Sequence, residues 1–99
     1  MTTHYIIPCS AKKAMPPANG LSWMEDTTFQ EWKSAWDQAS ERLPVSSMYT
    51  GYSITKSLEN VRESSGDWKV WVVSAGMGLF RGPSSTDLEE DLIPGYDVH

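Results

Sequence analysis

Between Cys9 and Lys13 a thiol, a hydroxyl and two ammonium groups fall within five residues, in the stretch IIPCSAKKA that follows Tyr5. A strand that merely had to stop could use Gly, Asn or Asp. Backbone N–H groups freed at a strand end, with Ser10, Lys12 and Lys13 beside them, suit an anion such as phosphate or carboxylate. A lysine near Cys9 would also favour its thiolate. The plain alternative is a small buried thiol with two solvated lysines. The Walker pattern GxxxxGK[ST] is absent.

Three later segments carry similar chemistry. In SAGMGLF, from Ser74, the two glycines Gly76 and Gly78 suit either a close backbone approach to a ligand or an ordinary tight turn. MYTG places Tyr49, Thr50 and Gly51 before a helix, where amides hold an anion and a tyrosine can stack on a base; a simple cap explains them equally well. IPGYD holds Tyr96 and Asp97 behind a proline turn. Asp97 could accept hydrogen bonds from an amidine-like base edge, act as a general base or orient a water; the alternative is a surface turn. His4 and His99 have no partner spacing, and no Ser-His-Asp order is supported. With one cysteine, no intramolecular disulfide and no cysteine metal cluster can form. No metal and no cofactor is expected.

These segments need elements to position them. HYIIP, residues 4–8, reads as a buried strand, and CSAKKAMPPANGLSW as a loop. Thr27 with Gln30 predicts a capping box. Phe29, Trp32, Trp36, Ala39 and Leu43 then predict a helix of about four turns, ended by Pro44. VSSMYTGYS reads as a loop. Ile54, Leu58 and Val61 predict a shorter helix with Gly66 as its C-cap. DWKVWVVSA predicts a strand covered on both faces. The tail reads as loop with one helical turn at 86–92. The order predicts an α/β fold with a parallel βαβ core and a helical crossover. The loops at Cys9 and Ser74 would then lie side by side at the strands' C-terminal ends, where open α/β sheets bind ligands. Two strands make a poor sheet. The expectation is therefore that further strands, a partner chain or a second copy complete it, or that residues 1–99 are the N-terminal portion of a larger domain.

The bulk numbers fit one domain of 99 residues. Eight Lys and Arg face thirteen Asp and Glu, which argues against nonspecific nucleic-acid binding through overall charge. The acids are uneven, however. Residues 1–24 contain none, and five of the thirteen lie in TDLEEDLIPGYD. No apolar run approaches the roughly 20 residues of a membrane helix. The expectation is a cytoplasmic chain without a membrane partner.

Taken together, the four segments resemble the uracil-DNA-glycosylase-like domain of archaeosine synthase. They also resemble a related uncharacterised domain family found beside transglycosylases that put 7-deazaguanines into DNA. Those domains carry "PCS.xK" after strand one, "LY.G" at a helix start, "SA..GL" or "SPLGL" after a later strand, then "P.YD". The matches here are Pro8, Cys9, Ser10, Lys12 and Lys13; Tyr49 and Gly51; Ser74, Ala75, Gly78 and Leu79; Pro94, Tyr96 and Asp97. Gly95 stands between Pro94 and Tyr96, and the family continues beyond "YD" with more sheet and helix.

The resemblance implies a glycosylase-like three-layer fold, only partly contained in these residues. It implies action on a nucleobase, nucleotide or nucleic acid (DNA or tRNA), in base modification or in defence against modified phage DNA. Lys12 and Asp97 become the candidate catalytic residues. Pro8, Cys9, Ser10, Lys13, Tyr49, Gly51, Ser74, Ala75, Gly78 and Tyr96 become candidate substrate-binding residues. N-glycosidic cleavage would need a carboxylate for an oxocarbenium-like sugar and amides for the leaving base. Two alternatives stand beside this reading. One is a non-catalytic interaction or regulatory module with Asp87–Asp91 as contact surface; the other is an enzyme acting on free nucleosides.

Overall fold

The computed structural model describes residues 1–86 and 89–98. It is a mixed α/β domain built on a three-stranded sheet. Strand β1 (Thr2–Pro8) is rich in β-branched residues, as a pleated surface favours. Two-residue strands β2 (Ser22–Trp23) and β3 (Leu43–Pro44) interrupt the helical crossover. Helices α1 (Phe29–Gln38), α2 (Val45–Met48) and α3 (Tyr52–Arg62) lead to β4 (Asp67–Ser74) and β5 (Gly78–Ser84). Short strands β6 (Leu92–Ile93) and β7 (Asp97–Val98) follow.

The sheet order is β1-β4-β5. β1 and β4 run parallel in the register Tyr5↔Val70, Ile7↔Val72, Pro8↔Val73. The expected βαβ core is therefore present. β4 and β5 are antiparallel, joined by a turn at 75–77 and offset by an irregularity between Lys69 and Trp71. β5 falls where sequence reading places only loop. Gly82 and Pro83 disguise it, and Pro83 is tolerated because β5 is an edge strand.

One core lies on the inner face of the sheet. Trp32 and Trp36 from α1, Ile54, Leu58 and Val61 from α3, and Val70, Val72 and Phe80 from the sheet are all buried in it. Each such side chain stabilises the fold by about 1.5–3 kcal/mol. The other face is open. Ile6, Val73 and Leu79 are 69 %, 46 % and 56 % exposed. β1 is thus an edge strand with only Ile7 buried, and β4 is half-covered rather than enclosed on both faces.

Helix α1 differs from expectation at both ends. Its capping box is Thr28 with Glu31, one residue later than Thr27 with Gln30. Thr27 instead accepts the Met24 amide at 2.9 Å and closes the preceding turn. The helix ends at Gln38, well before Pro44. The Arg42 guanidinium donates to the carbonyls of Trp36 and Ala39 and so caps the last turn. Leu43 and Pro44 then pair with β6. The expected loop at 45–53 contains the single turn of α2 and the start of α3. The stripe expected for α3 is buried as expected, but Gly66 (φ +81°) turns the chain toward β4, beyond the cap residue Glu63. The helical turn expected at 86–92 lies partly outside the described residues, and Leu92 is in β6. No helix among the described residues is long and apolar enough to cross a membrane.

Candidate functional site

The parallel register sets the ends of β1 and β4 side by side. The Cys9 amide donates to the Val73 carbonyl at 2.9 Å, one residue past the end of β1. Beyond it, residues 10–14 run against 48–51. The Ala14 amide donates to the Met48 carbonyl at 2.8 Å and the Thr50 amide to the Lys12 carbonyl at 3.1 Å, around a Lys13↔Tyr49 bridge. The Ser10 hydroxyl donates to the Lys12 carbonyl at 2.9 Å and lies 3.4 Å from the Gly51 amide. A Cβ on Gly51 would come within 2.8 Å of the Ser10 Cβ, so the glycine permits this approach.

Three buried hydroxyls join these loops to the C-terminal segment. The Tyr49 and Tyr96 hydroxyls are 2.6 Å apart, and the Tyr96 hydroxyl is 2.7 Å from Ser74 Oγ. Ser74 Oγ also accepts the Gly76 amide at 3.0 Å. Burial pushes the pKa of both phenols up, because a phenolate would be stranded without water. Both phenols are therefore neutral hydrogen-bonding groups. Lys13 Nζ lies 4.5 Å above the Tyr96 ring and donates to the Ala11 carbonyl at 3.1 Å. A cation over an aromatic face is stabilised by the ring quadrupole.

The four sequence segments thus converge on one rim. Cys9 is half-buried against the core, Ser10 and Lys13 are half-buried, Lys12 is exposed, and Pro8 sits opposite Val73. Tyr49 and Tyr96 are each 2 % exposed, so in this structure neither presents a ring face at the surface. Their rings pack against each other and, for Tyr96, against Trp32 and Trp36. Asp97 follows Tyr96 in sequence, but its backbone belongs to another segment. Its amide donates to the Leu21 carbonyl at 2.8 Å, and it pairs with Ser22. Two acids of the 87–91 stretch are held internally. Glu90 accepts from the Ser46 amide and hydroxyl at 2.9 and 2.8 Å, and Asp91 accepts the Arg81 amide at 2.7 Å. Asp87 lies outside the described residues.

Trp32 joins the site although its position in the α1 stripe reads mainly as core. Its indole Nε1 donates to the Gly76 carbonyl at 3.0 Å. The signal was available: a buried tryptophan N–H needs an acceptor. Gly76 itself is required, since a Cβ there would lie 2.8 Å from Tyr96 Cε2. Beside this turn is a slot of about 350 Å³ walled by Trp23, Phe29, Trp32, Met77 and Val98. A wider cleft of about 890 Å³ lies between residues 15–20 and α1. Among the described residues, no group of three His, Cys, Asp or Glu is placed to hold a metal ion. No protein-family model, no curated protein and no solved structure matches this chain.

Proposed function

We propose that this chain is a nucleobase- or nucleotide-binding module of glycosylase-like α/β type, acting in DNA or tRNA base modification or in defence against modified phage DNA. One observation carries the reading. Four segments far apart in sequence, each bearing groups suited to a base or a phosphate, meet at the C-terminal ends of two parallel strands. Open α/β sheets bind ligands at that edge.

In this reading Lys12 and the first amides of α3, which have no side-chain cap, receive a phosphate. Lys13 adds positive charge while its position over Tyr96 fixes its stem. Cys9, Ser10 and Ser74 shape the rim, and the thiol is not a nucleophile. Asp97 binds a base edge or positions a water. The resemblance to archaeosine-synthase-type domains belongs to this proposal, and so does the expected extension of the sheet by another chain or a second copy. The open edge of β1 supports that extension. The interaction module built on residues 87–91 has less support, because Glu90 and Asp91 are occupied within the fold.

A thermal-shift panel of free bases, nucleosides, nucleotides and short oligonucleotides tests the proposal. A ligand at about 100 times its Kd stabilises the folded state by about 2.7 kcal/mol. The expected result is a shift with at least one nucleotide, reduced in Lys12→Ala and Asp97→Asn. If neither variant alters any shift, these assignments fail.

A further inference from the structure

We infer that the slot beside the 75–77 turn is where a planar ring binds, and that its ligand is a neutral heterocycle of one or two rings. This deepens the nucleobase reading and rests on it for the identity of the ring; the chemistry of the slot stands on its own walls.

The first observation is where the aromatic faces are. A base needs a face to stack on. Tyr49 and Tyr96 are buried and turned toward each other, so neither of these two rings offers one. The slot does. Phe29 is 61 % exposed in the first turn of α1, and the half-buried Trp23 also lines the slot. Trp23 meets Trp32 edge to face at 5.3 Å, which holds its ring in place.

The second observation is charge. Among the described residues, no side chain lining the slot ionises. A charged ring entering it would lose hydration with no ion to replace it, whereas a neutral ring would not. This differs from the rim, where Lys12 and Lys13 stand. A nucleotide divides the same way, into a neutral ring and an anionic phosphate.

The third observation is the floor. It is the turn of residues 75–78, which line the slot, and the Gly76 backbone is held from both sides. Trp32 Nε1 donates to the Gly76 carbonyl, and Ser74 Oγ accepts from the Gly76 amide. A floor fixed before the ligand arrives lowers the ordering cost of binding. The slot volume of about 350 Å³ falls at the small end of ligand sites, which span roughly 300–1,000 Å³. That admits a base with its sugar and excludes a stacked duplex, so a polymer substrate would have to present an extruded or single-stranded nucleotide.

Isothermal titration calorimetry with guanosine, adenosine, uridine and indole tests the inference in the wild-type chain and in Phe29→Ala, Met77→Ala and Lys33→Ala. Lys33 lies on α1 and is not among the residues lining the slot. Circular dichroism confirms that each variant is folded. The expected result is saturable binding of at least one nucleoside. Its Kd should rise at least about tenfold in Phe29→Ala, the size of one lost base–aromatic stack, and stay unchanged in Lys33→Ala. Nucleoside binding that Phe29→Ala and Met77→Ala leave intact overturns the slot while the nucleobase reading survives. Indole binding that Phe29→Ala weakens, with no nucleoside bound, supports the slot as a ring site and removes the nucleobase reading. If no ring binds, the inference fails.

Discussion

Replacing Tyr96 by Phe removes one oxygen from the centre of the buried hydroxyl chain. That oxygen lies 2.6 Å from the Tyr49 hydroxyl and 2.7 Å from Ser74 Oγ. Two hydrogen bonds are lost, each contributing about 0.5–1.5 kcal/mol. The two partners fare differently. Ser74 Oγ keeps the Gly76 amide. The Tyr49 hydroxyl, on a side chain 2 % exposed, loses its close partner and keeps only its weaker interaction with Ser74. An unsatisfied buried hydroxyl costs about 1–3 kcal/mol. The expected total for Tyr96→Phe is about 3 kcal/mol, which lowers Tm by about 12–24 °C in a domain of this size. Tyr49→Phe removes one bond and leaves Tyr96 paired with Ser74, so about 1 kcal/mol is expected. The double variant leaves no stranded phenol and should cost less than the sum, with a coupling of at least about 1 kcal/mol. Urea denaturation of the four proteins, followed by circular dichroism, measures the cycle. Additive effects, or a Tyr96→Phe cost no larger than that of Tyr49→Phe, would refute the hydroxyl chain as drawn.

The same phenols set a pH limit: below about pH 10 they are neutral in both folded and unfolded chains, and their stabilising contribution is complete. Above it the unfolded chain releases protons that the folded chain retains, so stability falls by about 1.4 kcal/mol per pH unit for each tyrosine, until pH passes the raised folded values. Denaturation curves between pH 8 and 12 should show this slope, roughly halved in Tyr49→Phe. Gly95→Ala should destabilise by about 3 kcal/mol or more, because its Cβ would lie 2.2 Å from the Pro16 carbonyl oxygen, a backbone atom. Gly66→Ala, at φ +81° with no atom within 4 Å of the new Cβ, should cost only the left-handed strain of about 1–2 kcal/mol; equal melting temperatures for the two would contradict this. Arg42→Ala should lose about 2 kcal/mol by uncapping α1 and releasing the Leu92 carbonyl, and Arg42→Lys should not restore it, since an ammonium lacks the guanidinium fork. Urea titration of both variants reads this directly.

The parts of the fold visible in the sequence were those with a local period. The α3 stripe and the apolar run of β4 need no distant information. The parallel pairing of β1 with β4 followed from their order, because an intervening helical crossover leaves few alternatives. What depended on distant partners was hidden. β5 is a strand because Phe80 packs opposite Val72 and Gly82 lets Val70 approach its backbone; its glycines and proline read as loop. The end of α1 was misplaced because its cap, Arg42, reaches back from a non-helical segment. At the rim, residue types pointed to the right segments and missed how they are used. Tyr49 looked like a stacking surface and Tyr96 like a substrate-binding residue, yet their hydroxyls face each other across 47 residues of chain. Gly95 looked like a spacer within a motif; it is where the last segment crosses the Met15–Pro16 backbone.

The register of β1 against β4 also fixes a timetable. Thr2 pairs with Asp67, a separation of 65 residues. At about 5–20 residues per second, a ribosome delivers the partner strand roughly 3–13 s after β1 is made. Throughout that interval Ile6 and Ile7 have no sheet to join. The rim waits longer still, since Tyr96 follows almost 30 residues after Asp67. For this protein the danger to folding lies in the waiting time of its first strand, and a holding chaperone would do its work there.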